Sequence, residues 1–294
     1  MTSGYDRLRE IIAGIDSCVV AFSGGVDSTL IAKVAYDTLG GKVIAVTATS
    51  PTYPLFELQE ARLRASEIGV RHMVIESDEL KIPGFSKNDR DRCYYCKKEL
   101  FTKLKHLAVD IGCKDVLDGT NKDDLSDFRP GREAARELGV RSPLLEAGLT
   151  KDDIREISKA LKINNWDKPP YACLSSRFPY GMEIDQSGLE QVSGAEDFMR
   201  SLGFKLFRVR HHKDTARIEI GTDEFHLIYD RAISGLIVKR FKELGYHFVV
   251  LDLEGYRRGS LNSIVYADTN SHSTGYQADD EANAGSRMKA NWHD

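Results

Sequence analysis

A chain of 294 residues with 41% apolar and 29% charged side chains has ordinary globular composition, with room for one large or two medium domains. Its 41 Lys and Arg are outnumbered by 45 Asp and Glu, a formal charge of -4, which excludes an overall basic field able to hold a long nucleic acid. No apolar run approaches the roughly 18 residues of a bilayer span, the stretch up to Ser17 lacks the layout of an export signal, and five cysteines do not make a disulfide scaffold at this length. A cytoplasmic protein is expected, without membrane or stable nucleic-acid association, its cysteines serving as thiols or ligands.

Tyr5, Leu8, Ile11 and Ile12 mark an amphipathic first helix, and Cys18 to Phe22 a short apolar strand. Helix follows from about Asp27 to Asp37, strand from Lys42 to Thr47, helix from Pro54 to about Gly69, and strand from Arg71 to Glu76. A long helix starts near Cys93, a strand follows at Asp115 to Asp118, and Asp152 to Leu161 is the last helix of this rhythm. Short apolar strands separated by helices predict an α/β fold, a doubly wound parallel sheet covered on both faces. Right-handed crossovers place its ligands at the carboxyl ends of the strands. This domain is expected over residues 1–165. Residues 166–184 are Pro-rich and irregular, a connecting segment that carries Cys173. Beyond it Gln186 to Leu202 reads as helix, Lys205 to Arg210 and Thr215 to Ile220 as a hairpin, Glu224 to Leu244 as helix and Tyr246 to Leu253 as strand. Strands adjacent in sequence predict a smaller α+β domain with an antiparallel sheet over 185–267. Residues 268–294, rich in Asn, Ser, Asp and Gly, read as a disordered tail.

The first strand runs into Ser23-Gly24-Gly25-Val26-Asp27-Ser28 and directly into a helix. Two glycines allow a sharp turn close to a ligand, and the turn's amides with the helix N-terminus offer positive partial charge to phosphate. Ser23 and Ser28 add hydroxyls, and Asp27 suits Mg²⁺. A bare glycine pair favours the plainer reading, a tight turn with Asp27 as a helix cap. The whole SGGVDS string, however, resembles the pyrophosphate-binding loop of the PP-loop ATP pyrophosphatases, which cleave ATP between the α and β phosphates. No Walker-type GKS or GKT is present. Asp118-Gly119-Thr120-Asn121-Lys122-Asp123-Asp124, after a later strand at the same edge, resembles that superfamily's second nucleotide-proximal loop; alone it is an Asp/Asn-rich turn.

Cys93 and Cys96 stand three apart at the start of a helix whose stripe Leu100, Leu104, Leu107 and Ile111 is apolar, which predicts both thiols on the inward face. A C-x-x-C pair fits half a zinc site, a redox dithiol or two cluster ligands. No second pair completes a four-cysteine zinc site. Convergence of Cys93, Cys96 and Cys173 on a 4Fe-4S cluster is the expectation, because soft thiolates suit iron–sulfur chemistry. Cys18, opening a buried strand, and Cys113, ending a helix, read as small hydrophobes.

SGGVDS, DGTNKDD, Ser126 to Gly131 (SDFRPG), Cys173 to Gly181 (CLSSRFPYG) and Arg208 to Ile220 (RVRHHKDTARIEI) together resemble the LarE family over about residues 15–262. These are ATP-dependent sulfur transferases that help build the nickel-pincer nucleotide of lactate racemase. The resemblance implies a pyridinium dicarboxylate mononucleotide as substrate, its carboxylates adenylated by ATP and converted to thiocarboxylates. It implies ATP and Mg²⁺ binding by Ser23, Gly24, Gly25, Asp27, Ser28, Thr47, Gly119, Thr120, Asn121 and Arg129, and a catalytic group of Cys173, Asp27, Ser176 and Arg177. Some members sacrifice the sulfur of the single CLSSR-type cysteine; others carry three cysteines and deliver sulfide from a cluster, the pattern matched here. Symmetrical homo-oligomers are also implied.

In the predicted hairpin Arg208 and Arg210, two apart, aim the same way and suit a phosphate or carboxylate, with Arg177 as a third anion-binding candidate; a solvated strand face is the plain alternative. Glu196 falls on the apolar stripe Leu189, Val192, Met199, Leu202, where a carboxylate needs a partner, an ion or a pocket. The resemblance brings Glu196 and Glu219, with Glu224 as third candidate, to a divalent ion near the substrate. A tRNA thiolase, an ammonia-using synthetase with the same loop, and a nucleotide sensor without turnover are the competing readings. The negative charge and single C-x-x-C disfavour the first, the cysteine trio and RVRHH segment the second, and Asp27 with the cysteines the third.

Overall fold

The computed structural model describes residues 3–125 and 130–257. Arg129 and the expected tail at 268–294 lie outside the described residues. Helix α1 (Ser3–Ala13) precedes β1 (Cys18–Ala21); α2 (Val26–Leu39), β2 (Val43–Thr49), α3 (Leu55–Ile68) and β3 (Arg71–Glu76) continue the alternation. A short α4 (Pro83–Ser86) and the long α5 (Arg92–Asp110) lead to β4 (Asp115–Leu117), followed by α6 (Gly131–Glu137), α7 (Pro143–Glu146) and α8 (Lys151–Ala160). The strands form one parallel sheet in the order β3-β2-β1-β4, with Val19 opposite Ile44 on one side and Val116 on the other. Alternate residues of β1 feed different cores, as a doubly covered sheet requires. Cys18 and Val20 join Leu8, Leu30, Ala61 and Ile154 on one face, while Val19 joins Ile44, Phe101, Leu104 and Ala135 on the other. The chain leaves β1 toward β2 and returns to β4 on its other flank, so the loops after β1 and β4 bound the crevice where such sheets bind ligands.

The second sheet departs from expectation. After α9 (Gln186–Ser201), β5 (Phe207–His212) and β6 (Thr215–Ile220) form the antiparallel hairpin, turning at Lys213 with φ 58°. β7 (Phe248–Leu251) then pairs with β6 in parallel, giving a mixed three-stranded sheet. The cause is the helical crossover between them, which returns the chain to the starting end of β6. The crossover is two helices, α10 (Phe225–Tyr229) and α11 (Arg231–Glu243), because the Asp230 carboxylate accepts from the Ala232 amide at 2.7 Å and caps a new start. The irregular segment before α9 is also more ordered than its composition suggests. Leu174, Phe178 and Ile184 form a small core with Phe85 of α4 and with Leu189 and Val192 of α9. Both sheets belong to one compact unit, Met1–Arg257.

Candidate functional site

Gly24 takes φ +67°, and a Cβ there would stand 2.7 Å from Ala61 Cα, so α3 packs directly on the turn. The Ser28 hydroxyl, folded inward, accepts from the Ser23 amide at 3.2 Å and donates to Gly25 O at 3.2 Å. Gly25 sits at the N-cap of α2 and brings no side chain to cap it, which leaves the first-turn amides to an anionic ligand. A Cβ on Gly119 would stand 3.2 Å from Asp27 Cβ and 3.3 Å from the Ser28 amide, so the β4 loop closes on the start of α2. Asn121 Nδ2 donates to Asp27 Oδ2 at 3.1 Å, fixing the carboxylate from the opposite loop. Thr120 donates through its amide and hydroxyl to Asp118, and edges a cleft of about 440 Å³ that also carries Arg132 and Ser142. Asp27 and the loops after β1 and β4 therefore meet, as the motifs require. Thr47 does not join them through its side chain. Its hydroxyl, 1% exposed, donates to Phe22 O at 2.7 Å and pairs with His72 Nε2 at 2.8 Å inside the sheet.

A residue without a sequence signal completes the turn. Asn165, buried beyond α8, donates from Nδ2 to Gly24 O at 2.9 Å and to Thr29 Oγ1 at 3.2 Å. It ties the segment leading to Cys173 onto the glycine turn. The Leu174 amide donates to Thr52 O at 3.0 Å, and the neighbouring Tyr53 hydroxyl donates to Ser23 O at 3.0 Å. Two adjacent residues after β2 thus join the cysteine's neighbour to the turn itself.

The same segment is laced to the start of α5. Asn88, buried with φ 58°, donates from Nδ2 to Phe178 O at 3.3 Å and Pro179 O at 2.7 Å, and accepts from the Gly181 amide at 3.1 Å. Asn is among the few side chains that tolerate this backbone. Arg92 bonds Asn88 Oδ1 and lies 4.8 Å over the Tyr180 ring. These links bring Cys173 to Cys93 and Cys96. Crowding by surrounding protein raises the Cys93 thiol above its ordinary value, and the charge of Cys173 raises it further. Burial raises Cys96 strongly, followed by Glu79, whose Oε1 lies 3.7 Å from its sulfur, and by Cys173. Cys93 and Cys96 each feel the charge of Cys173, and soft thiolates are the donors that iron–sulfur clusters use. Among the described residues no group of three or more His, Cys, Asp or Glu side chains is placed to hold a metal ion. The inward orientation expected of both helical thiols is only half met. Cys93 is exposed and Cys96 half-buried, because the first turn of α5 packs on the Phe85 core and not on the sheet. Cys18 is buried with its thiol pushed up to about 12 by burial, and Cys113 is half-buried, neither near the trio.

The structure redirects most of the expected anion and metal ligands. Arg177 is fully buried: Nε and Nη2 donate to the two oxygens of Glu196 at 2.8 Å each, and Nη1 donates to Ala172 O, Cys173 O and Ser176 Oγ. Arg210 grips Glu219 in the same bidentate way at 2.9 and 2.8 Å and donates to Ser176 O at 2.7 Å. Both guanidiniums already hold a carboxylate of the protein's own. The three carboxylates expected at a divalent ion are likewise engaged within the protein. Glu196 also accepts from Tyr171 and from the Val209 amide, Glu219 also from Arg217, and Glu224 from the Lys205 and Leu206 amides. Glu196 stays ionised although burial opposes it, because Arg177 and these donors hold its carboxyl below the usual range. Ser176 is half-buried, its hydroxyl donating to Cys173 O at 2.8 Å. Arg208 is the arginine that remains accessible, half-buried between the Tyr171 and Tyr256 rings at 5.0 and 5.2 Å.

No protein-family model matches the chain. It is 43% identical over 265 residues to an uncharacterised protein of Synechocystis, covering 90% of this chain and 99% of that one. It is 40% identical over 250 residues to the pyridinium-3,5-bisthiocarboxylic acid mononucleotide synthase of Lactiplantibacillus plantarum, covering 84% and 89%. A fainter likeness, 26% over 166 residues, covers 51% of this chain and 45% of a glutamine-hydrolysing GMP synthase chain of Saccharolobus islandicus. With the glycine turn, its parallel sheet and near full-length identity to the synthase, the chain belongs to the LarE family of PP-loop ATP pyrophosphatases.

Proposed function

We propose that the protein is an ATP-dependent sulfur transferase that converts the carboxylates of a pyridinium dicarboxylate mononucleotide to thiocarboxylates for nickel-pincer nucleotide synthesis. The observation that carries this reading is the double link from the glycine turn to the Cys173 segment through Thr52 and Tyr53, in a chain so similar to the named synthase. A carboxylate is a poor electrophile, and adenylation cures that. The substrate oxygen attacks the α-phosphorus and pyrophosphate leaves; sulfur then attacks the acyl carbon, and AMP departs with the original oxygen. Ser23, Gly24, Gly25, Ser28, Gly119 and Thr120 would cradle the nucleotide, and Asp27, steadied by Asn121, would hold Mg²⁺ beside it. Arg208 would take the substrate's phosphate or a carboxylate. The 1–165 unit would bind ATP and the 185–267 unit the substrate, with the 166–184 segment carrying the sulfur site between them.

Cys93, Cys96 and Cys173 would hold a 4Fe-4S cluster, which when bound supplies sulfide as the nucleophile. Anaerobic incubation with ATP and the dicarboxylate should release AMP and pyrophosphate and exchange oxygen for sulfur on each carboxylate, read by mass spectrometry. ATP consumption without thiocarboxylate would defeat the proposal. Cys173 as sacrificial donor is the second reading, favoured by its exposure; dehydroalanine at 173 after one turnover identifies it. A homo-oligomer in the cytoplasm completes the proposal. Among the described residues no helix is long and apolar enough to cross a membrane.

A further inference from the structure

We infer that Arg177 and Glu196 are positioning residues for Cys173, a buried ionic clamp that fixes the cysteine's backbone and leaves its thiol free. The assignment rests on the reading of Cys173 as the sulfur-handling residue. The loop from Tyr171 to Arg177 curls around a single guanidinium. Nη1 donates to Ala172 O at 2.7 Å and to Cys173 O at 3.1 Å, while the other edge of the fork is locked on Glu196. Glu196 in turn accepts from Tyr171 Oη at the loop's entrance and from the Val209 amide of β5. One carboxylate on α9 therefore ties both ends of the loop to the second sheet. Arg210 holds Ser176 O at 2.7 Å, and the Leu174 amide is held by Thr52. Backbone groups at 172, 173, 174 and 176 are fixed on every side, yet Cys173 itself is exposed. A flexible loop would let the thiol wander from Cys93 and Cys96; a planar, five-donor guanidinium anchored by a charge defines one position.

Proximity is read directly by dibromobimane, which bridges two nearby thiols by displacing bromide from each. Full-length, metal-stripped wild-type protein under argon should yield peptides bridged between 173 and 93 or 96. Glu196→Gln, isosteric but uncharged, should lower that yield about tenfold, with Cys18 of β1 still unlabelled. Tyr171→Phe, which deletes one hydroxyl and no charge, should lower it about threefold, and decides the matter where Glu196→Gln does not fold. Wild-type bridging in either folded variant overturns the assignment, as does loss of bridging in both with Cys18 equally labelled, since the clamp would then hold the whole fold and not the loop. Wild-type bridging with no pyrophosphate release from ATP and the dicarboxylate would sink the sulfur-transfer reading and leave the clamp standing.

Discussion

Gly24 and Gly25 are neighbours with unequal obligations. Gly24 needs a left-handed backbone and its missing Cβ is filled by the backbone of Ala61, whereas Gly25 has an ordinary φ and meets only the Ser23 hydroxyl at 3.3 Å. Gly24→Ala should therefore destabilise by at least about 2 kcal/mol and remove ATP binding. Gly25→Ala should cost about 1 kcal/mol or less. Urea midpoints at unchanged slope, with calorimetric titration of a non-hydrolysable ATP analogue, check both. The glycine pair is legible in the sequence because strand, turn and helix adjoin; which glycine is under steric demand is set by a helix the sequence does not place. The arginines show the same limit. Strand alternation puts Arg208 and Arg210 on one face, but the Glu219 that claims Arg210 lies on the neighbouring strand, opposite Arg208 in the register. Asn165 has no local signal at all, since its partners are a carbonyl and a hydroxyl far along the chain. Asn165→Ala should cost about 1–3 kcal/mol by leaving Gly24 O without its donor, again read as a urea midpoint.

Elements with a self-contained signal were the readable ones. Helix α8 begins at a reciprocal capping box, Thr150 accepting from the Asp153 amide and Asp153 accepting from the Thr150 amide. The Thr150 hydroxyl and then its amide, donating to Asp153 Oδ2 at 2.6 and 2.9 Å, hold the Asp153 carboxyl below its ordinary 3.8. Its folded value is depressed, so its contribution is fully present above 3.8 and is lost as pH falls through the lower, folded value. Thr150→Ala should cost about 1 kcal/mol at neutral pH and flatten the loss of stability in acid, measured as urea midpoints from neutrality to below 3.8. Helix α9 shows the boundary of such reading. Its apolar stripe marks Glu196 as an anomaly needing a partner, and the fold supplies Arg177. The direction of β7 was likewise hidden, because adjacency in sequence predicts hairpins and the crossover through α10 and α11 is legible only once the break at Asp230 is known.

At the scale of the molecule, the parallel sheet with its helices between strands follows from the alternating pattern and was legible, whereas the strand order β3-β2-β1-β4 was not. The junction was not, because Pro-rich composition conceals a core. Anaerobic loading with iron and sulfide should raise the melting temperature of the wild type and of Cys18→Ser but not of Cys93→Ser, since a ligand bound only by the folded state stabilises it. Equal shifts in all three would argue against the trio. The stretch from Asn165 to Ile184 is bonded to Gly24, Thr52 and Asn88 on one side, to α9 and β5 on the other, and buries Leu174 and Phe178 against Phe85. It works as a keystone. Cutting the gene at its near edge would uncover Phe85 and strip the Asn165 clasp from the glycine turn, so residues 1–164 are not a transplantable part; a working chimera would have to carry that stretch and α9 with it.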